Sequence, residues 1–178
     1  MSWHKNIKKI AIVGNAGSGK STLALQLSKI LGLPLYHLDQ YFWLPGWVEP
    51  DRADFEKIHK KLCDQNSWIL EGCAIRLFDY RIQQADCVIF LDMPTSLCLY
   101  RILKRAFVHY GRERFSSAKG CPERGPSWKF LKFIWNFNRE RKPIIQELLQ
   151  QYKDTKQIFV VHNKAELEGL LKKILGAL

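Results

Sequence analysis

Gly14-Asn15-Ala16-Gly17-Ser18-Gly19-Lys20-Ser21-Thr22 decides the reading of this chain. The stretch satisfies in full the phosphate-binding loop pattern G-x-x-x-x-G-K-[ST]. Its surroundings suit the motif: Ile7 to Val13 reads as a buried strand, and Leu23, Leu25, Leu27, Ile30 and Leu31 give helical spacing from Ser21 onward. Glycines let the backbone turn tightly and aim its N–H groups at phosphate oxygens. The N-terminus of the following helix adds a partial positive charge at the same point. Lys20 can then reach the β- and γ-phosphates, and the Ser21 hydroxyl can ligate magnesium. All nine residues are expected to hold ATP with Mg²⁺.

Outward from this loop, strands and helices alternate, which predicts a parallel sheet covered on both faces. The expected strands are about 7–13, 35–38, 68–70, 85–91 and 157–161. Helices are expected at about 20–31 (closed by Gly32 and Pro34), 52–65 (capped by Asp51), 95–109, 128–138, 144–152 and 165–175. Residues 110–127 hold three glycines and two prolines without clear periodicity and read as a mobile flap. One domain is expected from 178 residues.

Composition narrows the function classes. No apolar run approaches the roughly 20 residues needed to span a bilayer, and Met1-Ser2-Trp3-His4-Lys5 leads directly into the first strand without room for a signal peptide. Five cysteines, odd in number and without a C-x-x-C pair, suit a reducing cytoplasm. No membrane partner is expected. The net charge of +11 is concentrated: residues 101–142 hold twelve Lys/Arg against three acids. That stretch meets either nucleotide phosphates or nucleic acid.

In open parallel sheets, ligands bind beyond the carboxyl ends of the strands. Asp39, Glu71, Asp92 and Asn163 follow strand ends here. Glu71 is the preferred carboxylate for magnesium, with Asp92 as its rival, for which capping the helix at Thr95 is an equal reading. Asp39 opens a loop with Tyr41, Phe42, Trp43 and Trp47, which suggests flat apolar walls and one acid. That acid could orient an attacking hydroxyl or accept its proton, or merely cap a turn. Arg101 and Arg105 share a helix face leading into the flap, Arg112, Arg114 and Arg124 lie within it, and Arg139 and Arg141 follow it. Three or four of these arginines are expected to stabilise a transferring phosphoryl group, and the others to be surface charges. His37 reads as a structural histidine. The aromatic run Trp128 to Phe137 is expected to pack beneath the flap, or to serve as a dimer surface if exposed. The oligomeric state stays open.

These residues together resemble the adenylate-kinase-like branch of phosphate-loop kinases, and more closely the bacterial proteins labelled DNA topology modulation proteins. The resemblance rests on Gly14 to Thr22, Tyr36-His37-Leu38-Asp39 with Phe42-Trp43 and Pro45-Gly46-Trp47, and Ser67 to Gly72. It continues through Ala85-Asp86 to Asp92 and Pro94, Leu99-Tyr100-Arg101 to Arg105, Gly120-Cys121-Pro122-Glu123 and Phe130 to Phe137, covering roughly residues 7–142. It implies a sheet of order 2-3-1-4-5, an acceptor-binding region around 39–66 and a lid around 106–127. It also implies Glu71 beside the phosphate loop, Arg76 as a substrate-phosphate arginine, and Arg101 and Arg105 as the pair entering the lid. The acceptor segment departs from adenylate kinases, offering only Arg52 besides lysines, and an aromatic loop instead. The expectation is an ATP-dependent phosphotransferase acting on a small acceptor, a nucleotide or nucleoside first. Asp39, Trp43, Arg76, Arg112, Arg114 and Arg139 would bind the acceptor; Lys20, Arg101, Arg105 and Asp39 would serve the transfer. The alternative is a nucleic-acid-associated ATPase or regulator influencing DNA topology.

Overall fold

The computed structural model describes Trp3 and residues 6–177. Its five strands are β1 (Lys9–Gly14), β2 (Leu35–His37), β3 (Trp68–Glu71), β4 (Cys87–Leu91) and β5 (Gln157–Val161). They form one all-parallel sheet in the order β2-β3-β1-β4-β5, as expected. Strand side chains alternate between faces, and the core divides accordingly. Ile10, Ile12, Ile69, Cys87, Ile89 and Leu91 enter one cluster. Ala11, Val13, Trp68, Leu70, Val88 and Phe90 enter the other. Runs buried on both sides have no polar alternation, which is why these strands read as continuous apolar stretches.

Helices cover both faces. The first cluster receives α1 (Lys20–Leu31), α5 (Thr95–Val108) and α8 (Lys164–Leu175). The second receives α3 (Arg52–Cys63), α4 (Phe78–Gln84) and α7 (Lys142–Gln151). Between them α6 (Trp128–Glu140) sends Ile134 into the first cluster and Phe137 into the second. Local signals explain several boundaries. Gly32 ends α1 in the left-handed region at φ 67, donating to the Ser28 carbonyl. Asp51 accepts from the Ala53 N–H at 2.7 Å and starts α3. Asn163, one of the strand-end polar residues, caps α8 by accepting from the Glu166 N–H at 3.0 Å.

Three expectations need correction. Residues Leu38–Phe42 form a short helix, α2, instead of finishing a strand and opening a loop. Residues between β3 and β4 hold a 3-10 turn (Ile75–Leu77) followed by α4, neither foreseen. The aromatic run of α6 divides: Phe130 and Phe133 pack against the core, whereas Trp128 is 80 % exposed and Trp135 69 %. Those two rings therefore do not pack beneath the connection that precedes them.

Helix α4 carries Arg81, fully buried at the heart of the second face. Its Nη2 donates to the Gly72 carbonyl at 3.0 Å, and its guanidinium lies over the Phe78 ring at 5.0 Å. Burial pulls its pKa down to about 10, which leaves it charged at neutral pH. Arg81 thus anchors the turn that follows Glu71. Replacing Arg81 with alanine leaves a cavity and an unpaired carbonyl, and should cost about 2–4 kcal/mol in urea unfolding. An unchanged midpoint would show that the Gly72 turn needs no anchor.

Candidate active site

The phosphate loop runs from the end of β1 into α1. Gly14, Gly17 and Gly19 all take positive φ (152°, 81° and 104°). A Cβ on Gly17 would stand 2.4 Å from the Cys98 carbonyl oxygen, so the loop is seated directly on the first turn of α5. Asn15 ties it to α6 by donating from Nδ2 to the Ile134 carbonyl at 3.0 Å. Arg101, one turn further along α5, donates to the Gly17 and Ser18 carbonyls at 3.3 and 3.2 Å. Lys20 Nζ donates to the Asn15 carbonyl at 2.8 Å. Ala16 and Gly19 are half-buried, Ser18 is buried and Thr22 is exposed on α1.

Beside the loop stands Glu71, at the end of β3 and 4 % exposed. Its Oε1 accepts from the Ser21 hydroxyl at 2.8 Å and lies 2.6 Å from His37 Nδ1. An ionised carboxylate only accepts, so His37 carries its proton on Nδ1. Burial alone would raise the Glu71 pKa. The His37 hydrogen bond, the Lys20 charge and the Ser21 hydroxyl outweigh it, and the pKa lies below the ordinary value. A hydroxyl and a carboxylate are hard oxygen donors, so this pair fits a magnesium ion that keeps its waters and phosphate contacts. Its rival Asp92 is otherwise engaged: Lys142 lies 2.8 Å and His162 3.3 Å from Oδ2. Nor does it cap α5, whose N-cap is Pro94 without a side-chain bond.

Asp39, on α2, is open to solvent yet closely surrounded by protein. Crowding and the nearby Glu71 charge raise its pKa, while Lys20, Arg114 and Arg105 oppose the rise. The charges of Lys20, Glu71, Arg105 and Arg114 therefore all act on Asp39. The two arginines are held by Glu123, only 5 % exposed: Arg105 Nη2 lies 3.1 Å from one of its oxygens, and Arg114 Nε pairs with the other. Glu123 also closes the base of the connection between α5 and α6, with its N–H to the Arg112 carbonyl and its carbonyl to the Gly111 N–H.

That connection, expected to move freely, is docked. Gly46 N–H donates to the Gly120 carbonyl at 2.8 Å, and Trp47 Nε1 to the Pro122 carbonyl at 2.9 Å. Gln40 Nε2 donates to the Phe115 carbonyl at 2.6 Å. Phe115 meets the His37 ring edge-on at 5.4 Å, and Arg124 lies over Trp47. Trp43 packs edge-on between Phe42 and Trp47.

Other named residues lie elsewhere. Arg139 is exposed and pairs with Glu140 at 3.4 Å. Arg76, in the turn after Gly72, and Arg112 are also exposed. Arg141, half-buried over the Phe133 ring, is the basic residue after the connection whose charge reaches Cys73 together with those of Lys20 and Asp39. Sequence reasoning missed His37 as a partner of Glu71, and Glu123 as the clamp on two arginines. Glu123 was legible only as part of Gly120-Cys121-Pro122-Glu123.

A family model described as an AAA domain matches residues 10–119, from β1 through the phosphate loop and α5 into the connection. The chain belongs to that family. Among relatives, "Uncharacterized protein YqaC" of Bacillus subtilis (strain 168) is 37 % identical over 112 residues, 60 % of this chain. The match spans 61 % of that relative's length. The adenylate kinase of Thermosynechococcus vestitus is 24 % identical over 174 residues, 82 % of this chain and 86 % of that protein. The shikimate kinase of Acinetobacter baumannii, solved in complex with shikimate, superposes with a TM-score of 0.63 at 18 % identity, covering 96 % of this chain and 92 % of that one. A gluconokinase from Sinorhizobium meliloti gives 0.55 at 15 %, covering 98 % and 93 %. At such identities the solved structures show that this AAA-domain chain has a phosphate-loop kinase fold.

The two carboxylates predict opposite substitutions. Asp39 has a raised folded pKa, so its ionised form opposes folding. Asp39→Asn should raise Tm at neutral pH, with the gain fading as pH falls through the raised folded pKa and gone below about 4. Glu71 has a lowered folded pKa, so its contribution is present above its unfolded pKa and lost as pH falls through the folded one. Glu71→Gln should lower Tm at neutral pH, with the loss fading below about pH 4.3. Equal shifts of one sign in thermal melts from pH 3 to 8 would contradict this assignment.

Proposed function

We propose that the protein transfers the γ-phosphoryl of ATP to a hydroxyl of a small acceptor, a nucleotide or nucleoside before other hydroxylated metabolites. The observation that carries this reading is the Ser21–Glu71 pair beside the phosphate loop, with Asp39 within the electrostatic reach of Lys20, Arg105 and Arg114. Backbone N–H groups of the loop and Lys20 would hold the phosphates. Ser21 and Glu71 would hold magnesium, which neutralises charge on the β- and γ-oxygens when bound. Asp39, more basic than an ordinary carboxylate, would orient the acceptor hydroxyl and take its proton. The new acceptor O–P bond forms as the bond from the γ-phosphorus to its bridging oxygen breaks and ADP leaves. Arg101 and Arg105, with Arg114, would stabilise charge on the equatorial oxygens. The 106–127 region would act as a lid over an acceptor region at 39–66, and the contacts from Gln40, Gly46 and Trp47 to it support that pairing. Closure would exclude water and suppress hydrolysis.

The finer family label, DNA topology modulation, would be expressed through exposed Lys119, Lys129 and Lys132. In contrast, Arg101 and Arg105 turn toward the loop and Glu123. Their inward placement favours phosphoryl transfer to a small molecule.

ADP release should be measured with Mg²⁺ and ATP against a panel of nucleoside monophosphates, nucleosides and small hydroxylated metabolites. Acceptor-dependent turnover is expected, falling about 10²–10³-fold in Lys20→Ala and in Arg105→Ala. Slow turnover indifferent to every acceptor and raised by DNA would overturn the proposal in favour of a DNA-linked ATPase.

A further inference from the structure

Helices α5 and α6 repeat one pattern on their outward faces. Tyr100, Leu103, Lys104 and Phe107 stand at offsets 0, 3, 4 and 7, and so do Trp128, Leu131, Lys132 and Trp135. At 3.6 residues per turn those offsets share one helix face. The opposite faces bury Cys98, Ile102 and Ala106 of α5, and Ile134 and Phe137 of α6. The helices pack against each other. Their outward rings stand well into solvent: Phe107 is 89 % exposed, Trp128 80 % and Trp135 69 %. Leu103 and Val108 are more than half exposed beside them. Large apolar side chains exposed together on two helices in contact mark an interaction site.

Charge decides among occupants. Helix α5 contains no acid, and α6 only Glu140 at its last position. Lys104 and Lys132 have no ion-pair partner among the described residues, and Lys129 reaches Glu49 only at 3.9 Å. A second copy meeting this face through a two-fold axis would set lysines against lysines. A single nucleic-acid strand would use ring faces and arginines, but Arg101 and Arg105 turn inward and Leu103 and Val108 offer no ring. An anionic bilayer accepts aliphatic and aromatic tips together, with lysine ammonium groups at headgroup level.

We propose that the outward faces of α5 and α6 form a peripheral docking surface for an anionic lipid bilayer. The apolar side chains enter the headgroup boundary, and Lys104 and Lys132 meet lipid phosphates.

The test is co-sedimentation of the full chain with phosphatidylcholine vesicles and with vesicles of equal parts phosphatidylcholine and phosphatidylglycerol. Tryptophan emission is read in parallel. Binding to the anionic vesicles alone is expected, with a blue shift and strong weakening by salt. Phe107→Ser with Trp135→Ser, and separately Lys104→Glu with Lys132→Glu, should each weaken binding about tenfold or more. The second pair alters exposed charges only, so it tests the surface even if the first disturbs folding. Equal binding to both vesicles, or to neither, overturns the proposal. So does a dimer dispersed by the Phe107/Trp135 pair, or oligonucleotide binding lost in the same variants while vesicle binding is unaffected.

Discussion

Everything at this site depends on how closely the phosphate loop sits on α5. Gly17 leaves no room for a side chain above the Cys98 carbonyl, and Arg101 grips the Gly17 and Ser18 carbonyls from one turn away. A loop that must point its N–H groups at a ligand turns carbonyls the other way, and those carbonyls need donors. Arg101 supplies them. The same helix carries Arg105, so the loop's seat and two of the basic residues share one element, and Glu123 links Arg105 to Arg114 in the connection that follows.

Glu71 is the second fixed point. A buried carboxylate is costly unless hydrogen-bonded, and here three residues satisfy it: Ser21 of α1, His37 of β2 and the charge of Lys20. Arg81 secures the following turn from below through the Gly72 carbonyl. Asp39 is treated oppositely. It is crowded and repelled by Glu71, so its proton affinity rises. Two carboxylates pushed apart in this way can hold different roles at one pH.

The connection between α5 and α6 makes contacts that its composition does not reveal. Its glycines and prolines suggest mobility, yet four hydrogen bonds and an edge-on ring contact tie it to β2, α2 and the loop after α2. Gly120 is needed for that docking, since a Cβ there would stand 2.8 Å from the Pro45 side chain. The segment 40–47 and the connection thus form one contact surface, and movement of either would be felt by the other.

Much of the fold was legible because its signals are local. A nine-residue motif names its own strand, turn and helix, and apolar runs such as Cys87–Leu91 can only be strands buried on both faces. Helix α4 escaped notice because seven residues with Arg81 at their centre carry too little periodicity, and burial of that arginine rests on the Gly72 carbonyl outside the helix. Periodicity placed Arg101, Arg105, Trp128 and Trp135 on helix faces, but a face has no meaning until its neighbour is known. By itself the sequence determined the phosphate loop, the parallel sheet and the concentration of positive charge between residues 101 and 142. Only the tertiary structure decided that Glu71 meets Ser21, that Glu123 clamps Arg105 and Arg114, and that two tryptophans stand in solvent. Those outcomes are set by how the elements pack and not by local preference.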